Sequence, residues 1–433
     1  MASPGVAGAP GGGAEERLGG DFRRFWVGQA ISNLGGSFTI FALPLLAFKL
    51  TGSALNLGLI TAFEFLPYLL FGLLIGAWVD RVDRKRMMIF TDVARAVVIA
   101  TIPLLAAFDL LVVWWVYVVG FVSSVLKIAF DAGEFAAIPS LVGTDDLVKA
   151  NGRVQASYSA AFFLGPLLAG ALLAVMPVQD VFTFDALSFL VSALALALVR
   201  RSFNAGNDGE KTVAGIRRDV VEGLRYVLGH PVLRNISIMM ALINLVIVTT
   251  QSQLVLFAKE RLGAGDSQVG ILYSVGSLGI VFLSLAAGPV RKRLSFSKAA
   301  LGALMLDGLL IVGFASVSSY WVALPVWALA TGLGIFFNIN TSSLRQQIVP
   351  NHMLGRVQSI AAVLAWSAIP IGSLLGGLVI EKTQNVALVY GGIGVLVFLI
   401  ALAFSFTALG RAERYLPGGD ASGEHEQTAA GGQ

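Results

Sequence analysis

Long apolar runs, separated by short polar interruptions, set the rhythm of this chain. Each run approaches the about 20 residues that a helix needs to cross a bilayer's hydrocarbon core, and twelve such runs fit. They are expected at residues 22–49, 55–79, 87–108, 112–137, 152–175 and 181–199, then at 236–258, 269–290, 298–317, 320–348, 356–380 and 386–409. The pattern predicts an all-α membrane protein in two six-helix halves, residues 21–199 and 235–410. Between them residues 200–234 break the apolar pattern and carry seven Arg or Lys. Within that linker Val213, Ile216, Val220, Leu224 and Val227 recur at helical spacing, with Arg217, Arg218 and Arg225 elsewhere on the surface. That arrangement predicts a basic amphipathic helix lying on the inner leaflet. Residues 1–20, rich in Gly, Ala and Pro with no apolar stretch like that of a signal peptide, are expected to be a disordered tail, as are the polar residues 411–433.

The sharpest interruption lies between the second and third runs, where six charges occupy the seven residues from Asp80 to Arg86. Charge at that density belongs at the water boundary. Four of the six are cations, which argues for the cytoplasmic side. Gly76 allows another helix to approach, and Asp80 offers an anion to an opposing helix N-terminus. Arg81, Arg84, Lys85 and Arg86 can reach carboxylates or lipid phosphates; alternatively the segment is a plain topogenic loop. Across the whole chain, twenty-four of the thirty Lys and Arg fall in the tails and the even-numbered loops, against four in the odd-numbered loops. Both termini are therefore expected in the cytoplasm of a multi-pass inner or plasma membrane protein.

Composition narrows the class further. Of the 433 residues 56% are hydrophobic and 13% charged, where soluble domains carry about 25% charged. With no Cys and three His, thiolate nucleophiles and Cys-based metal sites are excluded, and no metal or cofactor is called for. No Gly-x-x-x-x-Gly-Lys-[Ser/Thr] motif offers an ATP site. The net charge of +4 follows from the one-sided loops and asks for a lipid surface, not for nucleic acid.

An ionisable group near the bilayer centre costs about 2.5 to 3.5 kcal/mol on insertion scales, which makes each one a functional candidate. Glu64 lies nine residues into its run, about 14 Å deep at 1.5 Å per residue, with no cation within a turn. If a proton has to be taken up and released within the membrane, Glu64 is the carboxylate expected to cycle it, with Asp131 and Glu134 next. Lys127, Asp131 and Glu134 share one helix face, and Lys127 with Asp131 reads equally as a self-neutralised pair. Asp92 and Arg95, at i and i+3, read as a latch near the charged hairpin. Asp185 and Asp307 remain.

The motif Gly76-x-x-x-Asp80-Arg81-x-x-Arg84-Lys85-Arg86 resembles the loop signature between helices 2 and 3 of the major facilitator superfamily. It departs from that signature at Trp78 and at Asp83, and the form Asp-Arg-x-Asp-Arg is similar to a subgroup of macrolide efflux pumps and enterobactin exporters. Phe25-Trp-Val-Gly-Gln-Ala-Ile-Ser32, Asp185-Ala-Leu-Ser-Phe189, Glu222-Gly-Leu-Arg-Tyr226 and Leu344-Arg-Gln-Gln-Ile-Val-Pro350 resemble the same subgroup, and Gly165-Pro166-x-x-x-Gly170 is similar to the helix 5 signature of exporters. Gly152-Arg-Val-Gln155 recurs as Gly355-Arg-Val-Gln358 at the equivalent place in the second half, as parallel repeats predict.

The resemblance implies a monomeric secondary transporter that exports a hydrophobic or amphipathic small molecule against proton entry. A siderophore exporter, or a membrane-embedded sensor or enzyme on the same fold, are the alternatives. It also implies that helices 1, 4, 7 and 10 line a central cavity, making Gln29, Asn33, Lys127, Asn244, Gln251, Asn338 and Asn340 its polar lining; in lipid these side chains equally serve as interhelical hydrogen bonds. It places Asp80 against the N-terminus of helix 11 near Gly355 and Arg356, as a cytoplasmic gate. Asp185 and Asp307 fall on the peripheral helices 6 and 9, where structural roles are expected.

Overall fold

The computed structural model describes residues 19–79, 81–142, 146–203, 213–291, 293–350 and 353–415. The first half holds α1 (Gly20–Thr51), α2 (Ala54–Val79), α3 (Arg84–Ala107), α4 (Val113–Leu141), α5 (Leu147–Leu172) and α6 (Val178–Leu198). The linker helix α7 (Val213–Gly229) follows. The second half holds α8 (Pro231–Ser252) with the short α9 (Leu254–Glu260), then α10 (Asp266–Arg291), α11 (Phe296–Ser316) and α12 (Tyr320–Ile348). It closes with α13 (Leu354–Trp366), continued by α14 (Ala368–Thr383), and α15 (Val386–Ser405). A 3-10 turn, Ala408–Tyr415, ends the described chain. With α8/α9 and α13/α14 each counted as one crossing, the architecture is twelve transmembrane helices in two halves, all-α. Among the described residues eleven are long and apolar enough to cross a membrane; the twelfth, α5, carries Lys149, Asn151, Arg153 and Gln155 in its first turns.

Local chemistry sets the helix ends. Gly52 takes a left-handed conformation at φ 62° and donates its N–H to the Phe48 carbonyl at 2.7 Å, closing α1 as only a residue without a Cβ does cheaply. Asp83 caps α3 by accepting from the Arg86 N–H at 2.9 Å, and Asn385 caps α15 by accepting from Leu388 at 2.9 Å. Two expected continuous helices are interrupted. In helix 11 only the hydrogen-bond ladder is interrupted, at Ser367, where Pro370 has no N–H for the Trp366 carbonyl one turn back while Ser367 itself keeps helical φ and ψ of −59° and −23°. Helix 7 bends at Gln253, a fully buried side chain whose amide donates to the Ala54 carbonyl in the other half at 2.7 Å.

The halves close on each other at the end remote from the described chain's two ends. There Ser53 Oγ donates to Glu381 at 3.1 Å, and Lys49 of α1 pairs with Asp266 of α10, which also pairs with Lys259 of α9. Glycines permit the approach: a Cβ on Gly58 would lie 2.4 Å from the Ser373 carbonyl oxygen, and one on Gly270 would lie 2.6 Å from that of Pro166. So α2 packs on α14 and α5 on α10 with backbone nearly touching backbone. Behind this seam Phe257 stacks between Phe314 and Tyr390, with ring centroids 4.6 Å apart on either side, and the Tyr390 hydroxyl donates to the Thr250 carbonyl at 2.6 Å.

Two boundaries differ from the sequence expectation. The linker helix is present, but Leu224, Tyr226 and Val227 pack with Val349, Met353 and Val357 at the start of α13. This edge of the helix is thus covered by protein where the apolar pattern pointed to lipid; the side chains of residues 213–220 lie outside the described ones. The tail expected to be disordered from residue 411 keeps its order as far as Tyr415. Leu409 and Ala412 are buried, and Glu413 accepts from the N–H and the hydroxyl of Ser297, each at 2.8 Å. Burial would raise the Glu413 carboxyl, but these hydrogen bonds hold it below the usual carboxylate range.

Candidate functional site

Among the described residues, cavities open between the membrane helices, and three of them hold ionisable groups. One of about 290 Å³ lies within the first half and is lined by polar groups that include Asn33, Thr39, Glu64, Arg95, Ser123, Lys127 and Asp185. A larger one, about 500 Å³, lies between the halves and is lined by Glu64, Asn244, Gln251, Asp307 and Asn338 among many apolar and aromatic side chains. A third, of about 470 Å³, is lined by Asp131, Glu134, Asn151 and Tyr158.

Glu64 belongs to the walls of both of the first two cavities. No hydrogen bond or ion pair holds its carboxyl among the described residues. Gly120 of α4 faces it, and a Cβ there would lie in ordinary contact, 3.5 Å from Glu64 Cγ. A larger residue at 120 would meet the acid directly.

The other acids of the first half have protein partners. Asp92, fully buried, pairs with Arg95 at 2.5 Å and accepts from the Ser192 hydroxyl at 2.6 Å; Gln29 donates to Ser192 at 3.0 Å. The expected latch is therefore a polar chain tying α1, α3 and α6 together, with the Arg95 guanidinium 4.6 and 4.2 Å from the ring centroids of Phe130 and Phe189. Asp185 accepts from the hydroxyls of Thr39 and Ser188. Lys127 and Asp131 pair at 3.0 Å, both partly exposed. Glu134 accepts from the Tyr158 hydroxyl at 2.7 Å, while its Oε1 has no partner.

The polar residues expected to line the central cavity divide. Asn33, with its buried amide nitrogen unpartnered, faces the first-half cavity together with Lys127. Asn244, Gln251 and Asn338 line the cavity between the halves, although Asn244 also donates to the Ala365 carbonyl and Asn338 to that of Gly334, both at 3.0 Å. Gln29 and Asn340 line none of the three. Gln29 spends its amide on Ser192, and Asn340, 1% exposed, donates to the Phe336 carbonyl one turn back at 2.8 Å.

In the charged hairpin, cations turn inward to carbonyls. Arg84 is buried and donates to the Phe203 carbonyl at 3.1 Å, and Lys85 reaches the Val199 and Ala197 carbonyls at 2.5 and 3.3 Å. Unpaired carbonyls at the end of α6 attract cations as any helix C-terminus does. Arg81 closes a turn by donating its N–H to the Trp78 carbonyl at 3.0 Å. Asp80 lies outside the described residues, and the side-chain surroundings of Gly76, Gly355 and Arg356 are likewise outside them.

Asp307 was not legible as a site residue. It belongs to α11, a helix expected to be peripheral, yet it lines the cavity between the halves and is 1% exposed. The criterion that singles out Glu64, an acid with no cation within a turn, applies to Asp307 equally.

Two six-helix halves, packed at one end and enclosing largely apolar cavities that hold a few acids and amides, define a polytopic membrane protein with the architecture of a transporter. The family model of the Major Facilitator Superfamily matches residues 25–370, and the chain belongs to that superfamily. It is 26% identical to macrolide efflux protein A of Streptococcus pyogenes over 366 residues, 83% of this chain and 89% of the relative. It is 26% identical to the multidrug efflux pump Tap of Mycolicibacterium fortuitum over 354 residues, 79% of this chain and 85% of the relative. The crystal structure of a bacterial homologue of the iron transporter ferroportin in an inward-facing state superposes with a TM-score of 0.70, at 18% identity, over 89% of this chain and 98% of that one. Membership of that superfamily and these relatives make the chain a transporter, not an enzyme.

Proposed function

We propose that the protein is a proton-coupled exporter of hydrophobic or amphipathic compounds, working by alternating access, with Glu64 as the coupling carboxylate. The observation that carries the reading is the position of Glu64: an acid without a protein partner on the wall common to the first-half cavity and the cavity between the halves. Coupling requires a group that is neutral in one access state and charged in the other, and a lone carboxyl moved between dry and wet surroundings is suited to that cycle. Asp131 and Glu134 already hold Lys127 and Tyr158 and rank behind it. The efflux names of the relatives support export, and the aromatic and aliphatic lining supports a hydrophobic cargo.

The end that bears most of the cations faces the cytoplasm in this reading, so the closed seam at Gly58 and Gly270 faces outward. Asp80 would close the opposite gate against the start of α13 at Gly355 and Arg356, in a monomer with both termini inside. The test is transport in proteoliposomes of the purified chain, using a panel of hydrophobic compounds and an imposed pH gradient. Proton entry driving export of at least one compound is the expected result; a gradient that moves none of them overturns the proposal.

A further inference from the structure

The acids of the membrane region differ in one respect. Asp92, Asp185, Asp131 and Glu134 each hold an Arg, Lys, Ser, Thr or Tyr partner. Glu64 and Asp307 hold none among the described residues, and these two stand on the wall of the same cavity. Asp307 is 1% exposed, and its Oδ2 finds no hydrogen-bond donor. No Lys, Arg or His lines this cavity among the described residues. Its wall instead carries Phe65, Tyr273 and Trp327, whose ring faces attract cations. An ionised carboxylate left alone at such depth is costly, and a cation brought to it recovers the loss.

We propose that the cavity between the halves is an organic-cation site in which Asp307 receives the positively charged nitrogen or phosphorus centre of an amphipathic substrate. The inference rests on the export reading above and narrows its substrate class. The two acids divide the work: Glu64, which also borders the first-half cavity, carries the proton, and Asp307, on α11 of the second half, holds the cargo. An acid-lined, aromatic-walled cavity of about 500 Å³ suits a compound that is mostly apolar and carries one permanent or protonated positive charge. Anionic cargo is disfavoured there by like-charge repulsion and by the lack of any basic side chain to meet it.

The test is equilibrium binding to the purified full-length chain, with radiolabelled tetraphenylphosphonium as the cationic probe and triphenylphosphine oxide as its uncharged counterpart. Wild-type protein is expected to prefer the cation. Asp307→Asn should weaken tetraphenylphosphonium binding about tenfold or more and leave the neutral probe unchanged, while Asp307→Glu keeps the preference. Equal affinity of Asp307→Asn for the cation, or a parallel loss of both probes, overturns the assignment. Should Asp307→Asn fail to purify, the wild-type preference decides: none overturns it. The result separates from the export reading. A chain that exports neutral compounds against a gradient without binding the phosphonium refutes this inference alone. A chain that binds the phosphonium through Asp307 supports it even when a pH gradient drives no transport.

Discussion

The ion pair at the closed end should set how often that end opens, and its contribution can be worked out from the three side chains involved. Asp266 is shared by Lys49 from the first half and Lys259 from the second, and side-chain exposures of 40%, 21% and 21% place the cluster near the surface. Only Lys49 crosses between the halves. Truncating it in Lys49→Ala therefore removes a cross-half attraction without orphaning Asp266, which keeps Lys259. The loss belongs on the scale of a partly exposed pair, about 0.5 to 1 kcal/mol, or about a two- to fivefold shift toward the state open at that end. Lys49→Glu puts a second carboxylate against Asp266 and should shift the balance further. Because the chain has no Cys, a single Thr61→Cys on the wall of the cavity between the halves reports access cleanly. Its labelling rate with a membrane-impermeant maleimide applied from the closed side should rise about two- to fivefold in Lys49→Ala and more in Lys49→Glu. Unchanged rates in both variants would refute the idea that this pair holds the seam shut.

Further outcomes follow from other contacts. Gly58→Val brings a side chain to 2.4 Å from the Ser373 carbonyl oxygen, so the seam should fail to close; the same maleimide assay should show faster labelling, and export should fall. Arg95→Met leaves the fully buried Asp92 without its countercharge, at a cost of about 3 to 5 kcal/mol. Thermal unfolding of the purified protein should drop sharply and recover in large part in Asp92→Asn/Arg95→Met. Pro370→Ala restores the N–H that the Trp366 carbonyl lacks and should complete the hydrogen-bond ladder between α13 and α14, stiffening that joint. Slower transport with unchanged thermal stability is expected; an unchanged rate would mean the interrupted ladder plays no part in the cycle.

The crossings were legible because a bilayer demands about 20 apolar residues of any helix that spans it, and Glu64 because a lone acid in such a run stands out. What the sequence hid is tertiary. Nothing local to Gln253 announces that its amide will reach the Ala54 carbonyl, 199 residues earlier. Gln29 and Asn340 lie on helices implied to line the cavity, but a helix has more than one face, and these side chains turn to Ser192 and to their own backbone. Asp307 failed in the opposite direction, because helix order made α11 peripheral while packing brought one of its side chains to the cavity wall. The interruption at Ser367 was readable in principle from Pro370. Yet Pro44, Pro67, Pro103, Pro139, Pro166 and Pro325 all sit inside helices that run on, so proline alone does not say which helix will be interrupted.

Proton coupling through Glu64 is tested most directly by a single substitution. Glu64→Gln keeps the shape and the hydrogen-bonding capacity of the side chain but cannot cycle a proton. In proteoliposomes carrying an imposed pH gradient, the variant should lose uphill transport of a compound that the parent concentrates, while its downhill exchange and its binding of the same compound persist. If Glu64→Gln still concentrates that compound against its gradient, the coupling carboxylate lies elsewhere and the central claim fails.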